Sequence, residues 1–176
     1  MKKISCKIKG ISGLLMHKFP MVAIENPPIE KRSIKEQAEI AAYRDAESGK
    51  LFIPGINIQR AFIAAASFSK GKGRASLQKQ AAASVFISPE CVLLGAKEYE
   101  IDSRPVVIPA TKGRVIRHRP LIKEWKASFE IEYDESLLTE KQVRQIVDDS
   151  GSRVGLLDFR PEKKGPFGRF IVIEWK

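Results

Sequence analysis

Cysteine is scarce, with Cys6 and Cys91 the only two in 176 residues. That excludes a disulfide framework and any CxxC metal pair, and both thiols are expected to be buried in a reducing compartment. Histidine is equally scarce: His17 and His118 are the only side chains that could exchange protons near neutral pH without a perturbed environment. Neither stands in a nucleophile or metal motif, and no Walker loop, HExxH or nucleophile elbow occurs, so no catalytic residue is assigned. Glu100, Asp102 and Asp158 have no metal-ligand spacing, and such isolated carboxylates more often sit at turns or pair with Arg; no metal and no cofactor are expected. No apolar run approaches the roughly 18 residues of a membrane span. The opening MKKISCKIKG carries charge where a signal peptide would have its apolar core. A cytoplasmic protein without a membrane partner is expected.

Acidic residues are also in deficit, 21 against 31 basic, for a net charge of +10. Polyanions are the natural partners of such a surface, although high charge also serves solubility, so the clustering of the basic residues has to decide. With 43% hydrophobic residues the chain can bury a proper core, and a single domain spanning residues 1–176 is expected.

Two segments alternate at the period of a half-buried strand. Residues 3–9 place Ile4, Cys6 and Ile8 on one face and Lys3, Ser5, Lys7 and Lys9 on the other; residues 126–133 do the same with Ala127, Phe129, Ile131 and Tyr133. Residues 10–32 are broken by Gly10, Gly13, Pro20, Pro27 and Pro28 and read as a long, partly packed loop. Ser33 and Glu36 form a capping box for a short helix over about 33–44, and Thr139 and Gln142 form a second, with Leu138 and Val143 at the staple positions and Val143, Ile146 and Val147 as its inner stripe. After a short strand at 51–53, Pro54 and Gly55 start a helix in which Ile58, Ala61, Phe62 and Ala65 recur at helical spacing. Lys70 to Arg74 is expected to be mobile and to lead into a helix over 77–85. Strands are expected at 92–94, 106–108 and 115–122, the last two joined by a turn at Ala110–Gly113 into a basic hairpin. The continuous apolar run from Phe170 to Trp175 is expected to be a central strand. The order strand, helix, strand pair, helix, strand predicts an α+β, ferredoxin-like (RRM-like) antiparallel sheet with helices on one face, carrying insertions at about 11–50 and 68–104.

Three basic clusters are candidate nucleic-acid contacts. The first is Lys112, Arg114, Arg117, His118, Arg119 and Lys123 on the hairpin between 105 and 122, where Arg117 and Arg119 share a strand face; charges that discourage edge pairing are the competing reading. The second is the loop Arg160 to Arg169, with Arg160, Lys163, Lys164 and Arg169 as cations and Phe167 as either a stacking platform or a buried anchor. The third is Lys70, Lys72 and Arg74, with Lys2, Lys3, Lys7 and Lys9 of the first strand, where a solvated charge run is the default.

The ferredoxin-like order with a long insertion, the segment IPGINIQRAF at 53–62 and the glycine-containing loop before the last strand resemble proteins of the RAMP superfamily, which includes the backbone subunits of CRISPR effector complexes. The denser glycine pattern of that family's C-terminal loop is missing here. The stretches GRVIRHRP and DFRPEKKGPFGRF also resemble small proteins encoded by phages and prophages. The first resemblance implies that the strand–PG–helix unit carries part of a nucleic-acid surface, at Pro54, Gly55, Asn57, Gln59 and Arg60. It implies a glycine-rich loop role for Gly165 and Gly168, and a thumb role for the hairpin. It further implies copies stacked along one strand of nucleic acid.

The function expected is a non-enzymatic, sequence-nonspecific single-stranded RNA or DNA binder that acts as a homo-oligomer or as a subunit of a ribonucleoprotein complex. Two alternatives stand beside it: a metal-independent RNA endonuclease of the same fold, with His17 or His118 as general base, and a phage structural or interaction protein with an acidic protein partner.

Overall fold

The alternation of residues 3–9 becomes β1, Lys2–Gly10, whose Ile4, Cys6 and Ile8 are buried while Lys3 and Lys9 face solvent. The computed structural model describes residues 1–19, 29–71, 75–108 and 110–176. Within them, β1 pairs with the second alternating segment, Lys126–Tyr133, in antiparallel register that sets Ile4 beside Ile131 and Cys6 beside Phe129. Because side chains alternate faces, this register puts every apolar residue of both strands on one side.

In chain order the elements are β1 (Lys2–Gly10), β2 (Leu14–Leu15), α1 (Ile34–Ile40), β3 (Phe52–Pro54), α2 (Gly55–Ala65), α3 (Gln78–Ser84), β4 (Val85–Ser88), β5 (Cys91–Leu93), β6 (Glu100–Val107), β7 (Arg114–Ile122), β8 (Lys126–Tyr133), α4 (Glu140–Asp149) and β9 (Phe170–Trp175). A π-helical turn, Ser150–Val154, extends α4. The main sheet has the order β4-β8-β1-β9, all antiparallel, which together with α2 and α4 is the ferredoxin-like α+β arrangement. Ile58, Phe62 and Ala65 of α2 and Val143, Ile146 and Val147 of α4 cover the inward face of the sheet in one core. Two further sheets lie outside this unit: β2-β7-β6, and β3 paired with β5.

Both capping boxes form. Thr139 Oγ1 accepts from the Gln142 backbone N–H at 3.3 Å, and Gln142 Oε1 accepts from Thr139 N–H at 2.8 Å; Ser33 and Glu36 do the same for α1. The first helix stops at Ile40 rather than near 44, because Arg44 is drawn into a β-bridge with Leu51 and its guanidinium bonds Glu39 and the carbonyls of Gly49 and Lys97.

Several expectations are corrected. β9 is an edge strand and not a central one: Ile171 and Ile173 are exposed on its outer face, so its unbroken apolar run does not mean burial on both sides. Cys91 is exposed, and only Cys6 is a buried thiol, with burial pushing its pKa up to about 12. The strand expected at 106–108 is longer and starts at Glu100. Val85–Ser88, inside the segment read as an insertion, is the edge strand of the main sheet that pairs with β8, so the partner of β8 is β4 and the basic hairpin β6–β7 belongs to a separate sheet.

Candidate nucleic-acid interface

The β6–β7 hairpin has a register that puts Asp102 opposite Arg119 and Arg104 opposite Arg117, all on one face. Arg117 and Arg119 do share a face, but that face is turned inward. Arg119 is only 4% exposed. Its Nη1 donates to Asp158 Oδ2, and its Nη2 lies 3.7 Å from Asp102 Oδ2. The Arg119 Nε and Nη2 atoms are buried and make no hydrogen bond among the described residues, so charge holds this side of the guanidinium. Arg119 is therefore not a free phosphate contact. It is the centre of a network in which Asp102 also pairs with Arg104 at 2.5–2.7 Å and Asp158 faces His17 Nδ1 at 3.4 Å.

Arg104 continues the network into the loop before β9. Its guanidinium lies 4.9 Å from the Phe167 ring centre and 5.6 Å from that of Phe159, and the two rings are 6.1 Å apart. Phe167 is thus an anchor under a cation and not an open stacking platform. The loop glycines serve backbone packing: a Cβ at Gly168 would fall 2.0 Å from Leu156 O and one at Gly165 would fall 1.8 Å from Phe159 O, while Leu156 N–H donates to Gly168 O at 2.9 Å. Leu157, Phe159 and Lys164 adopt left-handed φ of 61°, 47° and 61°. Such conformations cost bulky residues on the order of 1–3 kcal/mol and concentrate at functional loops. Asp158 N–H donating to Leu15 O at 3.0 Å and Arg160 Nη1 donating to Leu157 O at 2.8 Å hold them there.

These constraints build an open cleft of about 270 Å³ lined by His17, Tyr43, Asn57, Arg60, Ala61, Gly155, Leu157, Asp158 and Arg160. Half-buried Asn57 and exposed Arg60 come from α2 at the border of its buried stripe, to which Ala61 itself belongs. Arg60 is exposed and has no ion-pair partner among the described residues. Arg160 shares its charge with Glu162 at 2.5 Å. Asp158 is ionised: partial burial opposes its charge, but the contact with His17 and the charge of Arg119 outweigh it and hold the pKa at about 2, below the ordinary 3.8.

The remaining candidates are dispersed. Lys112, at φ 56° in the hairpin turn, and Arg114 are exposed, as are Lys163, Lys164 and Arg169, and none of them has an acid partner among the described residues. Arg117 pairs with Glu30 at 3.1 Å and Lys123 with Glu100 at 2.9 Å. His118 Nδ1 lies 2.7 Å from Ser103 Oγ on the opposite hairpin face from Arg119. Gln59 does not line the cleft. Lys70 lines a different groove with Phe68, Lys141 and Arg153, and Lys72 and Arg74 lie outside the described residues. Of the β1 lysines, Lys3 is tied across the sheet to Glu130 at 3.7 Å and Lys7 to Glu174 at 3.0 Å, Lys2 pairs with Glu140 at 2.9 Å, and Lys9 has no acid partner among the described residues. Sequence reasoning offered His17 only as the general base of an alternative reading and passed over Tyr43; no motif marks either one, and the first insertion reaches this loop through the β-bridge from Leu15 to Asp158 and through Gly168 N–H donating to Gly13 O at 2.8 Å.

Removing Arg119 leaves the largely buried side chain of Asp102 and the half-buried Asp158 without the cation between them. Arg119→Ala is expected to cost about 3–5 kcal/mol in urea unfolding, and the double replacement Arg119→Met with Asp158→Leu to recover much of that loss. Because the folded-state pKa of Asp158 is depressed, its contribution to stability is complete above about pH 4 and is lost as pH falls towards 2. Denaturation followed from pH 5 to pH 2 should show this slope in the wild type and a flatter one in Asp158→Asn.

No family model matches the chain, and no curated protein does. Among solved structures, it is similar to a chain in the cryo-EM structure of the Type III-B Cmr-beta bound to cognate target RNA, with a TM-score of 0.55 and 12% identity. The match covers 99% of this chain and 59% of that one, and shows a shared fold over nearly the whole length described.

Proposed function

We propose that this protein binds single-stranded nucleic acid through its backbone phosphates, with little sequence preference and without catalysis, as repeated copies along the strand or as a subunit of a ribonucleoprotein complex. The observation that carries the reading is the convergence of Asn57 and Arg60 from α2 with Arg160 from the loop before β9 in one open polar cleft. Two segments read separately as nucleic-acid contacts, about 100 residues apart in sequence, supply the same site. The net charge of +10 provides the long-range field, and Lys112, Arg114, Lys163, Lys164 and Arg169, which have no acid partner among the described residues, extend the contact. That a chain of the same fold belongs to an assembly bound to target RNA agrees with this reading. The outer face of the main sheet fits it poorly: Lys3 and Lys7 are paired with glutamates, and Phe86 is its one exposed aromatic among the described residues.

One observation favours a second reading, cleavage of RNA at the ribose hydroxyl: His17 stands 3.4 Å from Asp158 in the same cleft, the arrangement in which a carboxylate orients a general base.

Fluorescence anisotropy with labelled single-stranded RNA, single-stranded DNA and duplex across a salt series tests both. The wild type should bind single strands with affinity falling linearly in log salt. Arg60→Ala and Arg160→Ala should each weaken binding and lower the salt slope by about one, whereas Lys3→Ala on the sheet face should change neither. No binding at low salt would sink the reading. Shortened RNA on a denaturing gel in the presence of EDTA, abolished by His17→Ala, would put the cleavage reading in its place.

A further inference from the structure

We propose that Asp158 makes the cleft selective for RNA over DNA by accepting a hydrogen bond from a ribose 2′-hydroxyl. This rests on the nucleic-acid reading above and assigns its substrate class. The starting point is a misfit: a cleft whose cations would hold phosphates also carries an ionised carboxylate in its wall. An anion facing a polyanion is repulsive unless the ligand brings a donor to it.

The geometry leaves that carboxylate one open position. Asp158 Oδ2 is the oxygen that meets both Arg119 Nη1 and His17 Nδ1, whereas Oδ1 receives no hydrogen bond among the described residues. The side chain is 32% exposed, so the carboxylate is open to solvent on the cleft side, while Arg119, 4% exposed, compensates its charge from within the protein and cannot itself reach a ligand. Asp158 is held in place by its backbone N–H to Leu15 O at 3.0 Å and by the left-handed residues on either side of it, Leu157 and Phe159. It is a fixed acceptor beside Arg60 and Arg160.

The ligand's donors can be enumerated. The backbone of single-stranded DNA offers only acceptors, its phosphate and sugar oxygens, while RNA adds one hydroxyl donor at every nucleotide, next to the phosphates that the arginines would hold. A hydroxyl donating to a carboxylate forms a short, charge-assisted bond. Base N–H groups, exocyclic amino or ring imino, are the other donors able to reach a carboxylate, but their type and position change from base to base and they are equally present in DNA. A sequence-tolerant binder with a fixed acceptor among its phosphate contacts is therefore matched to ribose.

The test uses the full chain and labelled oligouridine, oligodeoxyuridine, 2′-O-methyl oligouridine and oligocytidine. Oligouridine should bind roughly tenfold or more tightly than the deoxy and 2′-O-methyl probes, the lower end of what a hydrogen bond to a charged group contributes. The gap should close to within about twofold in Asp158→Asn. If that variant fails to fold, the probes alone decide, because 2′-O-methylation removes the donor and leaves the rest of the ribose backbone. Equal binding of oligouridine and its 2′-O-methyl form, or a cytidine preference shared by ribo and deoxy probes, overturns the inference. If binding is equal across sugars yet lost in Arg60→Ala, the inference falls and the nucleic-acid reading stands; if no oligonucleotide binds, both fall.

Discussion

The buried guanidinium of Arg119 is the tie on which the candidate site depends. Four segments distant in sequence meet at it: Asp102 from β6, Arg119 itself from β7, Asp158 from the loop before β9, and His17 from the first insertion, which faces the same carboxylate. The first insertion, β7 and the loop before β9 are also anchored to the hydrophobic core, through Leu14 and Met16, Ile122, and Leu156. The core positions α2 and the start of the last loop, and the ion-pair network then fixes how the hairpin and first insertion sit against them. A buried ion pair contributes little net stability compared with apolar packing, but loss of either partner is costly, so its effect is to specify one arrangement of the loops.

That arrangement divides the positive charge of the chain into two kinds. Arg104, Arg117 and Arg119 are used internally, against Asp102, Glu30 and Asp158, and shape the walls, while Arg160 shares its charge with Glu162 and still lines the cleft. Arg60, Lys112, Arg114, Lys163, Lys164 and Arg169 have no such partner among the described residues and remain available to a polyanion. On the main sheet, cross-strand pairs to glutamate take up Lys3 and Lys7 of β1, which offsets part of the charge of its outer face.

Much of the fold was legible because its signals are local. The alternation in β1 and β8, the stripe of α2 and both capping boxes each depend on residues within a few positions of one another, and each formed as read. The order of elements then gave the fold class. What failed was information set by neighbours in space: whether the FIVIEW run lies at the centre or the edge of the sheet, that the short segment Val85–Ser88 pairs with β8, and that Cys91 faces outward. The site divides the same way. Arg60 and Arg160 were visible as basic residues in loop and helix motifs, but a cation's chemistry does not reveal whether an acid waits beside it, so Arg119 looked like Arg114 in the sequence. His17 carried only the proton chemistry of its imidazole and Tyr43 gave no signal, since the packing of the first insertion brings them to the cleft.

The central claim is that nucleic acid occupies the cleft between α2 and the loop before β9. Ultraviolet cross-linking of the full chain to single-stranded RNA, with the adducts located by mass spectrometry, tests it most directly. The account predicts adducts on Tyr43, His17 and the peptides spanning 55–61 and 155–160. Adducts concentrated instead on Phe86 and the outer strand residues of the main sheet would contradict it.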